Sequence, residues 1–303
     1  MKNKKVAIFT VYYNRENDIL ESVNSLLNQE YDDFCVVVVN DGSTDNTQEI
    51  LSQLESDNLI VINKENTGFV DSIIFAINNI PSEYIAIHGS GDISLPQRIR
   101  LQANILDNDQ SVGVVGCLYK TIDLVRKIES CPELPTGLIS SKAMHENLLI
   151  KNPLTHGEVM IRRTMYQQVG GYNKFFLYAQ DYDLWVRMSQ IANFYVLDKF
   201  LYIRYIRKNG VGGSVNKLAL QQLLVSIAKN SIHSGNNSYP ILALVNKKKD
   251  TQLRKRLVKL SIRSLLLEKT YPITLARVNI IEFGLVGTFI NMLLFPIKLK
   301  RKK

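Results

Sequence analysis

The chain has 303 residues, 46% of them hydrophobic and 21% charged, which allows a sizeable core in one large domain or in a domain with an appendage. Its three cysteines, Cys35, Cys117 and Cys131, lack metal-site spacing and argue against a disulfide framework, as in a reducing compartment. The net charge of +9 is uneven: residues 243–303 carry 15 Lys/Arg against 3 Asp/Glu and the preceding residues 22 against 25, so the basic character belongs to the tail and calls for an acidic partner surface, lipid or nucleic acid.

No signal peptide is expected, because the apolar run after residues 1–5 breaks at Asn14-Arg15-Glu16. Residues 5–11 read as a first buried strand. The polar loop Tyr12-Tyr13-Asn14-Arg15 follows, then a helix over 17–28 with Ile19, Val23, Leu26 and Leu27 on one face. Residues 34–40 contain four consecutive valines, the pattern of a strand buried on both faces inside a parallel sheet. They run into Asp41-Gly42-Ser43-Thr44-Asp45, a turn and a helix start. Ligands of open α/β sheets bind outside the carboxyl ends of the strands, where Asp41 stands; the plainer reading is that Asp41 and Ser43 shape the turn and cap the helix.

A helix over 44–56, a strand over 59–63, the cluster Lys64-Glu65-Asn66-Thr67-Gly68, a helix over 70–80, a strand over 84–88 and the cluster Gly89-Ser90-Gly91-Asp92 continue the alternation. This predicts a parallel, doubly wound sheet with right-handed crossovers. Polar clusters at four successive strand ends predict a ligand crevice along that edge. No Gly-x-Gly-x-x-Gly follows the first strand and no Gly-Lys-Ser phosphate loop occurs, which argues against a dinucleotide or P-loop site. Further on come a helix from Pro96 to about 108, a strand over 112–118, an unpatterned region over 120–151, a short strand over 159–161 and a short helix over 165–169. Then Asp181 and Asp183 open an apolar helix, and strands over 195–197 and 201–206 lead into a glycine-rich loop over 208–214.

Val6-Ala7-Ile8 with Tyr13-Asn14-Arg15-Glu16, then Val39-Asn40-Asp41-Gly42-Ser43-Thr44-Asp45, Asn66-Thr67-Gly68, Gly170-Gly171-Tyr172 and Asp181-Tyr182-Asp183-Leu184-Trp185-Val186-Arg187 occur in this order over residues 5–214. The ordered set resembles the family-2 glycosyltransferases, inverting enzymes of the GT-A fold that use nucleotide sugars, of the bacterial surface-polysaccharide type. The resemblance implies a Rossmann-like, mostly parallel α/β sheet flanked by helices over 1–214, with 215–303 as a basic helical extension. It implies that Asp41 contacts the nucleotide base, that Asn66 contacts the nucleotide or its phosphates, and that residues 10–14, among them Val11, Tyr12 and Asn14, border the base. Gly42, Ser43, Gly68, Ser90 and Arg204 complete the donor-site set.

Asp92 matches the last carboxylate of the family's Asp-x-Asp-type metal motif, with His88 as a further candidate ligand, for Mn²⁺ or Mg²⁺. The pattern is depleted here: the family usually has two or three carboxylates where this chain has Gly89-Ser90-Gly91-Asp92, and Gly91 takes the position expected to help hold the ribose. Asp181 matches the second residue of the family's Glu-Asp pair, with Gln180 in place of the Glu, and the implied role is general base toward an acceptor hydroxyl. Asp183 reads as a capping or structural carboxylate, Trp185 and Arg187 as core packing with an ion pair, and His156 has no assigned step. Arg204, Arg207 and Lys208 read either as a lid over the diphosphate or as a solvated charge cluster.

The resemblance therefore implies single-displacement transfer of a sugar from a nucleotide donor, with uridine favoured, to a hydroxyl of a glycan or lipid-linked acceptor. The alternative, prompted by the depleted acidic motif, is a non-catalytic nucleotide-sugar-binding or scaffold protein of a glycan-assembly complex. In the tail, 216–234 is helical in pattern and 247–262 reads as a basic amphipathic helix. The apolar stretch 278–297 is interrupted by Asn279, Glu282 and Asn291, and its uncharged part is short of the ~20 residues that span a bilayer. The tail reads as an interfacial anchor on anionic lipid, or else as a packed helical subdomain. The expectation is a cytoplasmic protein, peripheral at the inner face of the cell membrane. No aromatic-interleaved basic pattern supports a nucleic-acid partner.

Overall fold

The computed structural model describes residues 4–208, 210 and 215–234. The readings made for the tail over 243–303 and for residues 211–214 lie outside the described residues. The chain divides into two compact units, residues 1–174 with 180–205, and residues 175–179 with 206–303.

The first unit is built on one sheet. In chain order its strands are β1 (Lys4–Tyr12), β2 (Phe34–Asp41), β3 (Leu59–Lys64), β4 (Ser82–Ile87), β5 (Ile93–Ser94), β6 (Val112–Asp123), β7 (Ile128–Ser130), β8 (Gly137–Ile139), β9 (Met160–Arg162) and β10 (Asn193–Ile206). The spatial order is β3-β2-β1-β4-β9-β6-β10-β5, with β7 paired to β6 and β8 to β10. β1 runs parallel to β2 and β4, and β2 to β3. Beyond β4 the pairing turns antiparallel, through β9 against both β4 and β6. The result is a mixed sheet, parallel from β3 to β4 and antiparallel beyond.

The period of two explains the burial. Val6 and Ile8, Val36 and Val38, and Tyr84 and Ala86 face one side and pack with α1 (Ile19–Leu27), α2 (Thr47–Ser52) and α4 (Arg98–Asn108). The alternate residues Ala7, Phe9, Val37, Val39, Ile85 and Ile87 are equally buried, on the side where α3 (Phe69–Asn79) packs on β1 and β2 and α6 (Arg163–Gln168) on β4. The four valines of β2 thus have helices on both faces.

Three departures from the sequence reading have local causes. α2 stops at Ser52 rather than continuing to 56, because the N–H groups of Gln53 and Leu54 turn back to Ile50 and Leu51 in a tightened last turn. The unpatterned region over 120–151 holds the end of β6, the short strands β7 and β8, and α5 (Ser141–Ile150), whose Ser140 cap accepts from the Ala143 N–H. Finally, the two last strands are one: β10 pairs with β8 through Phe194 and with β5 through Tyr202, and its exposed middle, Asp198-Lys199-Phe200, hides the continuity.

In the second unit, α8 (Val215–Ser234) is tied to the 175–179 segment: Gln221 Nε2 donates to the Tyr178 carbonyl at 2.7 Å. Leu223, Leu224 and Ile227 of this helix are buried. Among the described residues no helix is long and apolar enough to cross a membrane.

Candidate active site

The polar clusters after β1, β2, β3 and β4 are hydrogen-bonded into a continuous row at the carboxyl edge of the parallel strands. The β1 loop is stitched to the β2 loop at three successive residues. The Asn14 N–H donates to Ser43 Oγ and Asn14 Oδ1 accepts from the Thr44 N–H at 2.8 Å. The Arg15 N–H donates to Thr47 Oγ1, and Glu16 exchanges bonds with Asp45 and the Asn46 N–H. Asn14 adopts φ 51°, a left-handed conformation that asparagine tolerates well. On the other flank, Arg15 Nε donates to Ser90 Oγ at 3.2 Å and links the β1 loop to the β4 loop. Gly42, at φ 69°, packs on the Asn66 backbone so closely that a Cβ there would stand 2.5 Å from the Asn66 nitrogen. Asn66, Asn14 and Tyr13 remain exposed along this edge.

Two expected donor-site residues have inward tasks. Tyr12 buries its ring completely in the core and gives its hydroxyl to Ser22 Oγ at 2.8 Å, so only its backbone is offered to the edge. Asp41 is 2% exposed and spends both carboxylate oxygens on its own chain. Oδ1 accepts from the Thr67 N–H, Ser72 Oγ and Lys64 Nζ, and Oδ2 from the Gly68 N–H at 2.9 Å. Burial by itself would raise this carboxyl, but the bonds from Ser72, Thr67 and Lys64 hold it below its ordinary value. In this arrangement Asp41 positions the 64–68 loop.

The residues expected to hold a metal are also committed elsewhere. Asp92 Oδ2 accepts from the Tyr202 hydroxyl and Oδ1 from the Tyr205 N–H, each at 2.8 Å. The same Tyr202 hydroxyl accepts from the Gly89 N–H at 2.8 Å. A Cβ at Gly89 would overlap Asp92 Oδ2 and lie 3.1 Å from that hydroxyl, so position 89 has no room for a carboxylate. His88 is fully buried, its Nε2 faces Ser22 Oγ and the Asp92 carbonyl, and burial pushes it well below its ordinary pKa. Arg98, also fully buried, donates to the Ile87 and Gly157 carbonyls and stacks 5.3 Å from the Tyr202 ring. Among the described residues no group of three His, Cys, Asp or Glu could hold a cation. In this arrangement Asp92 is a strut between the β4 loop and β10 and His88 is turned to Ser22, so the two do not form a preformed divalent cluster.

Asp181 lies in the first turn of α7 (Gln180–Met188). The helix is held by other residues: Arg187 bridges Asp183 at 2.5 Å and donates to the Val169 carbonyl at 2.6 Å, and Trp185 is fully buried. Asp183 and Arg187 are thus structural, and each is the other's partner. Burial pushes the Asp181 carboxyl up to about 6; its own and the Tyr182 N–H pull it down, the Glu158 charge raises it and the Arg204 charge lowers it. His156 Nε2 and the Tyr172 hydroxyl are hydrogen-bonded at 2.7 Å, and Phe69 meets the His156 ring edge-on. This links the amino end of α3 to the Gly170-Gly171-Tyr172 turn.

Glu158, fully buried and bonded to Thr155 through both its oxygens, was missed by sequence reasoning. A charge at the mouth of the apolar run Val159-Met160-Ile161 was the available signal. Tyr202 carried no such signal.

A parallel half-sheet with polar loops along one edge and a carboxylate at a helix start beyond its antiparallel half is the GT-A type of α/β fold, and two solved structures share it. They are S. aureus TarS 1-349 in complex with UDP-GlcNAc (TM-score 0.61, 17% identity, 99% of this chain and 92% of that one) and the mannosyltransferase PcManGT from Pyrobaculum calidifontis in complex with GDP-Man and Mn²⁺ (TM-score 0.57, 14% identity, 99% and 88%). The glycosyl transferase family 2 profile matches residues 7–170, and the chain belongs to that family. Among its relatives are an uncharacterized glycosyltransferase of Haemophilus influenzae, 28% identical over 206 residues (62% of this chain, 61% of the relative), and the putative glycosyltransferase EpsE of Bacillus subtilis, 30% identical over 194 residues (61% and 67%). The match thus spans about three-fifths of the Haemophilus protein's length.

Proposed function

We propose that the chain is an inverting glycosyltransferase that moves a sugar from a nucleotide donor to a hydroxyl of a glycan or lipid-linked glycan. The observation that carries this reading is Asp181: a carboxylate raised to about 6, at the start of a helix whose other charges are already paired. The row of loops supports the donor half of the reading. Tyr13 and Asn14 would meet the base, Asn66 the nucleotide, and Ser90 the ribose side, while Val11, Gly42, Ser43 and Gly68 bring backbone close to it. A uridine diphosphate sugar is the first donor to test, since TarS has been solved with UDP-GlcNAc; PcManGT, solved with GDP-Man, makes a guanosine donor the second.

In the proposed reaction the acceptor oxygen attacks the anomeric carbon from the face opposite the nucleotide. Its proton passes to Asp181, the bond from the anomeric carbon to the phosphate oxygen breaks, and the nucleoside diphosphate leaves with the electron pair. Configuration inverts because there is one displacement.

A base works only when deprotonated. With an active donor, the rate of nucleoside diphosphate release is expected to rise about tenfold per pH unit below 6 and to level off above about 7. A flat profile between pH 5 and pH 8 would remove Asp181 from the role of base.

A further inference from the structure

A nucleoside diphosphate gains negative charge as it leaves, and that charge needs a positive partner. The loop after β4 has glycine at 89 and 91, and the Asp92 oxygens are occupied by the Tyr202 hydroxyl and the Tyr205 N–H. A cation on Asp92 would have to share oxygens that already accept from Tyr202 and Tyr205, with no second carboxylate from residues 89–91 to help hold it. Positive charge is nonetheless close by. Arg204 lies on β10 between Tyr202 and Tyr205, and two residues along a strand return to the same face, so it projects on the side of Tyr202. Its guanidinium stacks 5.3 Å above the Tyr119 ring, which fixes the plane without using its N–H donors, and its Nε is buried with no hydrogen-bond partner. Its charge is felt at Asp181 and at Glu158, which puts it within electrostatic reach of the start of α7.

We propose that Arg204 takes the part of the divalent cation: it binds the donor diphosphate directly, and the site receives its donor without a metal held by the protein. The inference rests on the nucleotide-sugar reading above. A planar guanidinium matches two phosphate oxygens in a bidentate fork. Asp92 is then a structural residue that sets β10, and with it Arg204, against the β4 loop.

The test is calorimetric titration of the full chain with UDP and with GDP, each in excess EDTA and in excess Mn²⁺. Wild type should bind one of them with a Kd that agrees within about twofold between the two buffers, and Arg204→Gln should bind it about 10- to 30-fold more weakly in both. Arg204→Lys, which keeps the charge but loses the fork, should fall between the two. Binding that requires Mn²⁺, or an Arg204→Gln protein that binds as wild type does, overturns the proposal and leaves the donor site standing. Absence of binding by either nucleotide in either buffer overturns the donor-site reading, and this proposal with it. The comparison of buffers on wild type needs no variant to fold.

Discussion

Asp181→Asn should lower transfer by about 10²–10⁴-fold while nucleoside diphosphate affinity stays within about twofold of wild type. The amide keeps the shape of the carboxylate and cannot take the acceptor's proton. Little else should move, because α7 is fixed by the Asp183–Arg187 pair, by the Arg187 bond to Val169 and by the buried Trp185. Stability should change in the opposite sense to activity. A carboxyl whose pKa rises from 3.8 to about 6 on folding contributes its stability below the unfolded value, and that contribution is lost as the pH rises through 6. At pH 7 the ionised group therefore costs folding free energy. Its replacement by asparagine should return roughly 1–2 kcal/mol, an increase in Tm of about 2–6 °C. A variant that transfers at the wild-type rate would eliminate Asp181 as base, and one less stable than wild type at pH 7 would contradict its desolvated setting.

Asp41→Ala should be the most damaging change on the donor side. It removes the common acceptor of the Thr67 and Gly68 N–H groups, the Ser72 hydroxyl and the Lys64 ammonium. Breaking a partly buried ion pair and leaving part-buried N–H groups without their acceptor should together cost about 2–4 kcal/mol. Because Asp41 holds the 64–68 loop that carries Asn66, nucleoside diphosphate affinity should fall by about tenfold or more even where the variant is folded. The pH dependence has the usual carboxylate sign. The Asp41 pKa is lowered, so its contribution is in place above 3.8 and is lost as the pH falls through the lower folded value. Urea unfolding at pH 7 and calorimetry with UDP check both parts. Wild-type stability together with wild-type affinity would show that the four bonds to Asp41 do not organise the edge.

What could be read from the chain alone was what local pattern encodes. Four consecutive valines specify a strand buried on both faces, and Arg187 on an apolar helix read as a structural ion-pair member, whose partner the structure shows to be Asp183. The polar clusters at successive strand ends were legible for the same reason, since each follows directly on an apolar run. Long-range partners were not. Asp92 meets Tyr202 and Tyr205 more than a hundred residues away, and nothing near Asp92 announces that its oxygens are taken. Gly89 read as part of a depleted acidic motif, whereas it is a place where a Cβ would collide with Asp92. Tyr12 sits in a polar loop by sequence, yet the alternation of β1 turns its ring into the core. The segment over 120–151 resisted reading because β7 is three exposed residues long and shows no alternation of buried and open positions. β10 was split in two because its exposed polar middle resembles a turn.

If a nucleotide donor lies along the loops at the carboxyl ends of β1 to β4, its binding should be visible in the backbone amide shifts of the isotopically labelled full chain during titration with UDP, and with GDP if UDP is silent. The largest changes should fall at Asn14, Gly42, Asn66, Gly68 and Ser90. Saturable shifts that leave these five amides unmoved and gather elsewhere in the chain would contradict that placement.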